Sequence, residues 1–501
     1  MAGGMFPKTE VDKRFEHRVT VYLISSCFMA AIAGFLFGYD LAVTGGVTAM
    51  DDFQKKFFPS VYRKQKEARL AGFVTSIFAG YVTRKYGRRL TLIAGGLNFS
   101  IGAVLNGAAT NLAMLVIGRL FLGMGVGLSA QAAPVYIAEM APAKIRGALV
   151  NSFQFSLTVG FFASSLLNYF ANKIHPYGWR IALGVQSLPA VMLSLSAFFL
   201  PDTPILEKVR GLKNVDAEFQ NILEASRVAA TVNNSFKCLL RRENRAQLLI
   251  ACFLPGAQPF SGNAAIAFYV PVLFRIMGYG SSAALYSATI VGSVRMVGSA
   301  ISLLLVDRLG RKALFFEGSI QMSLCQILQL ALGTIFYLEL GLHNTLDKSL
   351  AIGVVVLVNL WTAGFGWSWG PLIWVVPSEI FSLECRSAGM GLAMSFNYLV
   401  TLLLTQVFLT MFCHLRWGTF FFFAGTLLIM LSFTIFLLPE TKGVPLEDMK
   451  HICSRHWYWK KFVPREDHFT VVLTLPHAFK VSTHSTNSEL NKINDNNSHV
   501  D

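Results

Sequence analysis

The chain has 501 residues, 53% of them hydrophobic and only 14% charged, where a soluble globular domain carries about 25% charged residues. This balance excludes a water-soluble fold: apolar runs of about twenty residues, enough helix to cross a ~30 Å hydrocarbon core, recur from Thr20 to Pro439. The net charge of +15 does not point to nucleic acid, because the basic residues sit in short blocks between the apolar runs, as in the cytoplasmic loops of membrane proteins.

In chain order, residues 1–19 are polar and lack the short apolar core and small-residue cleavage site of a removable leader, so they read as a cytoplasmic N-terminus. Residues 20–203 hold six apolar runs, residues 204–246 a polar cytoplasmic loop, and residues 247–440 six further runs. Residues 441–501 form a cytoplasmic tail whose end, STHSTNSELNKINDNNSHVD, is polar enough to predict disorder. Strand-type alternation is not evident, so the fold class is an all-α membrane protein of twelve spans, eleven of full length and one short. The short one is the second: between Arg69 and Arg84 lie only Leu70 to Thr83, about 14 residues or ~21 Å of helix. Polar RKQKEAR, Arg63 to Arg69, must then enter or thin the outer leaflet. In the seventh run Pro255, Gly256, Pro259 and Gly262 predict a broken helix, the form in which transporters expose backbone to a ligand.

The chain repeats itself. RKYGRR (Arg84 to Arg89) matches DRLGRK (Asp307 to Lys312), AEMAPAKIRG (Ala138 to Gly147) matches SEIFSLECRSAG (Ser378 to Gly389), and PDTP at Pro201 matches PETKG at Pro439. Two parallel six-span halves around a central loop predict a binding cavity between the halves near the bilayer midplane. Acidic and basic residues at helix ends can lock such halves together, and the candidates are Glu139 with Arg146, Glu379 with Arg386, and the basic pairs Arg88/Arg89 and Arg311/Lys312. Their simpler role is to set topology by positive charge.

Seven widely spread cysteines, mostly inside the runs, suggest neither a zinc site nor a disulfide scaffold. No Walker A glycine loop occurs, and His175 and His414 stand apart from any nucleophile. The chain is therefore read as having no cofactor, no metal and no enzymatic activity.

FGYDLAVTGGVTAMDDF, GRLFLGMGVGLSAQAAPVYIAEMAP, FYVPVLF, WSWGPLIWVVPSEIFSLECRSAG and LPETKGVP resemble the sugar porter branch of the major facilitator superfamily, and more closely the plant sugar transport proteins that move hexoses with protons. The resemblance covers Phe15 to Pro464 and implies import of a monosaccharide with protons by alternating access. It also implies a plasma-membrane protein, with the vacuolar membrane as the alternative, and a monomer is expected. An ionisable residue within a span costs about 2.5–3.5 kcal/mol on insertion scales and persists where it faces a cavity or a partner. The resemblance makes Asp40 the proton site and Arg119, on a glycine-rich fourth span, its counter-charge. It places sugar contacts at Phe37, Leu41, Gln154, Gln258, Trp374 and Asn397, residue types that suit a ring bearing hydroxyls.

The chain departs from that pattern in several places. Pro259 stands where the family has a second glutamine, and Ala264 where it has asparagine, with Asn263 one residue early and so turned by about 100° on a helix. Arg295 replaces an asparagine that touches sugar; a guanidinium only donates and keeps its charge, so it fills the pocket, demands an anion or stands as a fixed cation. An external segment before the second span is missing, and with it the cysteine that the resemblance pairs with Cys413, which is expected as a free thiol. These departures leave a second possibility, a non-transporting sugar-binding sensor or a defective symporter paralogue.

Overall fold

Helices in lipid gain little by burying apolar side chains against one another, so close backbone approach and hydrogen bonds must hold them together. The computed structural model describes residues 20–48, 50, 53, 65–142, 144–200, 235–263, 281–343, 348–382, 384–415, 418–444 and 449–462. The N-terminal segment, most of the central loop, the end of the tail, Ala264 and the side chain of Cys413 lie outside the described residues, and so do the expectations attached to them.

Every regular element among the described residues is helical. The first half comprises α1 (Val21–Thr48), α2 (Gln65–Gly107), α3 (Leu112–Met140), α4 (Arg146–Ala171), α5 (Gly178–Val185) and α6 (Ser187–Phe198). The second comprises α7 (Arg245–Ala257), α8 (Ser281–Leu309), α9 (Arg311–His343), α10 (Lys348–Trp367), α11 (Trp369–Ile380), α12 (Arg386–Leu415) and α13 (Gly418–Phe436), and a short α14 (Met449–Arg455) follows. Eight segments among the described residues are long and apolar enough to cross a membrane; the first arm of α2 together with α4, α7 and α9 completes the twelve-span pattern.

The sequence repeat is visible in the backbone. α2 is two spans joined without a loop, because Gly87 at φ +84° turns the chain between its arms, and Gly310 at φ +97° does the same between α8 and α9. Glycine takes this left-handed conformation without the steric cost that a Cβ adds. The first arm starts at Gln65, so the helix from there to Gly87 extends ~33 Å at 1.5 Å per residue. The apolar stretch Leu70–Thr83 is still short, but the polar residues before it join the helix and lengthen it.

Within the first half α1 lies along α4, and α2 along α3 and α6; within the second, α7 lies along α12, and α9 along α10 and α13. The halves meet along α4 with α8 and α2 with α12. Apolar side chains such as Val21, Phe28, Phe199, Leu304 and Phe421 are exposed on the outside, the surface that a bilayer covers. At the α1–α4 crossing the two backbones nearly touch: a Cβ on Gly38 would overlap the Leu157 carbonyl, and one on Gly160 the Phe35 carbonyl. Gly38→Val should force α1 and α4 apart at a cost of about 1–3 kcal/mol or more. It is read as a lower melting temperature of the detergent-purified protein, and an unchanged melting temperature would contradict this crossing.

Candidate functional site

Asp40 sits in the second half of α1, where its side chain is one-fifth exposed, and α3 presents Arg119 to it with Nη1 3.3 Å from Oδ1. The same Nη1 donates to Thr44 Oγ1 at 2.5 Å, and that hydroxyl donates to the Asp40 carbonyl one turn back at 2.7 Å. Thr44 thus ties the guanidinium to the helix that carries the carboxylate. The pair is loosely made at 3.3 Å, so the carboxylate keeps room to take a proton or a second donor. Thr44 was not among the residues expected from the sequence, although its position four residues after Asp40 on a helix puts it on the same face.

Gln154 on α4 and Trp374 on α11 meet across the two halves: Trp374 Nε1 donates to Gln154 Oε1 at 2.9 Å, and each residue is only 4% exposed. Phe37 packs its ring edge against Trp374 at 6.1 Å, and Phe153 lies 4.9 Å from the same ring. Tyr398 joins them through Phe37 at 6.2 Å, and its hydroxyl is buried without a hydrogen-bond partner among the described residues. An apolar cage closed by one bond between an indole and an amide can exchange that bond for hydroxyls of a ring. Phe153 and Tyr398 are additions to the expected set, each the chain neighbour of an expected residue. Leu41, one turn beyond Phe37 on the same face of α1, is 45% exposed.

The seventh span breaks where its prolines lie. α7 gives way to a 3-10 turn over Gln258–Ser261, and Gly262 is left-handed at φ +92°. Pro259 has no N–H, so the carbonyl four residues earlier, that of Pro255, loses its helical donor. Asn397 Nδ2 supplies one at 2.6 Å and reaches Gln258 Oε1 at 3.4 Å. Gln326 Nε2 donates to the Ser261 carbonyl at 2.8 Å, and Thr426 Oγ1 to that of Phe260 at 2.6 Å. Asn397 and Gln258 therefore stand together, but the Asn397 amide repairs a broken helix. Asn263 lies beyond the break and accepts from Arg295 Nη2 at 2.5 Å.

The gating candidates lie at the end of the bundle that carries the basic loops. Glu139 is held by Arg88 Nη2 at 2.7 Å, with Arg386 Nη1 of the other half at 4.0 Å. Glu379 takes Arg311 through two nitrogens, at 2.7 and 3.2 Å, and the Thr441 hydroxyl at 2.9 Å. Each acid bonds an arginine that follows a left-handed glycine, Arg88 after Gly87 and Arg311 after Gly310, in addition to the expected candidates. Arg146 and Arg386, which open the next helices, also donate to the backbone carbonyls of Val444 and Phe381.

Further bonds at this end cross between the halves. Asp307 of α8 accepts from the N–H groups of Gly147 and Ala148 in the first turn of α4, at 3.1 and 2.7 Å, so a carboxylate of one half caps a helix of the other. Gln131 of α3 donates to the Ser387 carbonyl at 3.0 Å and accepts from Thr83 at 2.8 Å. The bundle is closed at this end.

Two six-helix repeats, a carboxylate and arginine paired within the spans, and matching locks at one end define a multi-pass membrane transporter. The sequence pattern of the sugar (and other) transporter family matches residues 26–452, and the chain belongs to that family. Sugar transport protein 7 of Arabidopsis thaliana is 42% identical over 93% of this chain and 97% of its own length, and sugar transport protein 10 of the same plant 43% over 93% and 98%. Among solved structures, the major facilitator superfamily proton:xylose symporter XylE bound to 6-bromo-6-deoxy-D-glucose has the same fold, with a TM-score of 0.74 and 24% identity over 86% of this chain and 98% of that one. XylE from E. coli in its inward-open conformation gives 0.65, again at 24% identity, over 86% and 99%.

The helix-repair role of Asn397 has a direct test. Asn397→Ala should cost about 1–3 kcal/mol by leaving the Pro255 carbonyl unpaired, and Pro259→Ala, which restores a backbone N–H there, should recover most of that loss in the double variant. Melting temperatures of the four purified forms measure the cycle; purely additive losses would remove the repair role.

Proposed function

We propose that the protein carries a monosaccharide together with a proton across the plasma membrane by alternating access, with its termini and central loop in the cytoplasm. In this reading Asp40 takes the proton. Protonation weakens its hold on Arg119, which is left to Thr44 alone, so the tie between α3 and α1 loosens. α3 also carries Gln131 and Glu139, which bond toward the second half at the basic-loop end. A change at Asp40 and a change in the lock therefore act on one rigid element.

Sugar binds where Gln154 and Trp374 now bond each other. Its hydroxyls replace that bond, with the ring's C–H face against Trp374 and Phe37 and a hydroxyl on Tyr398. Gln258 contributes from the broken seventh helix. The observation that carries the reading is the Asp40–Arg119 pair inside a family of sugar transporters, because an ionisable pair kept within spans marks an ion pathway by default. Release of the contacts that join the halves, Glu139 with Arg386, Gln131 with the Ser387 carbonyl and Asp307 with the first turn of α4, then opens the site inward.

The experiment is uptake of labelled hexose in transporter-deficient cells at acid and at neutral external pH, with surface abundance measured beside it. Uptake should be stimulated by acid, and Asp40→Asn should reduce it to background while reaching the surface at normal abundance. Surface-resident protein without uptake would overturn the transport reading, and uptake indifferent to Asp40→Asn would overturn the proton's place in it.

A further inference from the structure

A second intramembrane cation stands close to the sugar-binding cage, and no carboxylate among the described residues answers it. Arg295 on α8 is 7% exposed, and its only hydrogen bond among the described residues goes to the neutral amide oxygen of Asn263. Its Nε is buried with no partner among the described residues. Phe365 and Phe161 flank the guanidinium, their ring centroids 5.1 and 5.5 Å from Cζ. Phe161 belongs to the first half and Phe365 to the second, so the cation lies at the seam between the halves.

Phe365 links Arg295 to the cage. A Cβ placed on Gly370 would stand 3.3 Å from Gln154 Nε2 and 3.3 Å from the Phe365 ring. The ring that flanks the guanidinium therefore also borders the surface that the Gln154 amide borders. Phe161 lies two turns beyond Gln154 on the same face of α4. The seam thus presents an indole, an amide and a donor fork around Phe365.

A buried guanidinium offers five N–H donors, and without a counter-charge its desolvation is compensated only in part by one amide and two ring faces. The missing partner is an anion that accepts in a plane, which is what a carboxylate does. From these observations we infer that the preferred substrate is a carboxylated monosaccharide, a hexuronate, whose ring occupies the Gln154–Trp374 cage and whose carboxylate bonds Arg295. The inference rests on the transport reading and names the substrate class of that same site. It also assigns Asn263 a role: its oxygen holds one side of the guanidinium so that Nε faces the ligand.

This arrangement has a consequence for charge. A hexuronate brings one negative charge and the proton one positive charge, so their joint movement transfers no net charge, whereas a neutral hexose with a proton does. The test uses the full-length protein in detergent or nanodiscs, with binding of glucose, glucuronate and acetate measured by displacement of a labelled sugar and uptake measured in cells. Glucuronate should bind about ten-fold tighter than glucose or better. Arg295→Asn should remove that preference while retaining glucose, and Arg295→Lys, which keeps the charge but not the fork, should keep only part of it. Melting curves establish that both variants are folded.

Equal affinity for glucose and glucuronate in the unaltered protein, or a preference that survives Arg295→Asn, would overturn the inference. So would acetate competing as well as glucuronate, since the site would then hold any small anion. Acid-stimulated glucose uptake without a glucuronate preference leaves the transport reading standing and removes only the substrate class. Failure to take up either sugar removes both.

Discussion

Inside a bilayer a charge or an unpaired carbonyl has no water to turn to, so each one must be answered by a group on another helix. Much of the specific architecture here follows from that constraint. Pro259 deprives the Pro255 carbonyl of its donor, and Asn397 arrives from α12 to replace it. The next carbonyls of the broken turn are met by Thr426 from α13 and Gln326 from α9. A helix interrupted in this way is pinned by three neighbours. The break is thus fixed in place, with the Gln258 amide oxygen beside Asn397.

The same constraint explains why the lock at the basic-loop end is built as it is. Arg311 and Glu379 are each about 1% exposed in their side chains, and a buried pair of this kind destabilises by about 3–5 kcal/mol when one partner is lost. Yet most of its bonds are within the second half. The bonds that bridge the halves are single contacts: Gln131 to a carbonyl, Asp307 to two N–H groups, and Glu139 to Arg386 at the limit of an ion pair. Strong pairs therefore keep each half rigid, and weaker ones join the halves. A transporter needs that ordering, because the joining bonds must break and re-form in every cycle.

The twelve-span plan could be read from run length and from the internal repeat, and the turn at the seventh span from four helix-breaking residues in one short stretch. The nearness of Asp40 and Arg119 was implied by the family resemblance and agrees with charge, since an uncompensated carboxylate in lipid must find a cation. Other features were not legible in the same way. Spacing along the chain shows which residues share a helix face, but not which neighbouring helix that face meets. For this reason Glu139 and Glu379 were matched with arginines of their own motifs, and their bonds to Arg88 and Arg311 came only with the fold. The repair of the Pro255 carbonyl was readable in part, because a proline four residues on announces the missing donor. That Asn397 would supply the replacement depends on how α12 crosses α7, which sequence spacing does not encode.

Asp40 and Arg295 pose the same physical problem with opposite signs of solution. Asp40 has a cation beside it, and a proton can substitute for that cation, so its charge is satisfied in more than one state. Arg295 cannot lose its proton under ordinary conditions, and Asn263, Phe161 and Phe365 bring dipoles and ring faces but no negative charge. The first half thus holds a pair that is neutral as a unit, while the seam holds an excess positive charge whose missing partner must come with the ligand. One site is arranged to gain and release a proton. The other is arranged to wait for an anion, and because α4 carries both Gln154 and Phe161, recognition of the ring and recognition of the charge fall on a single helix.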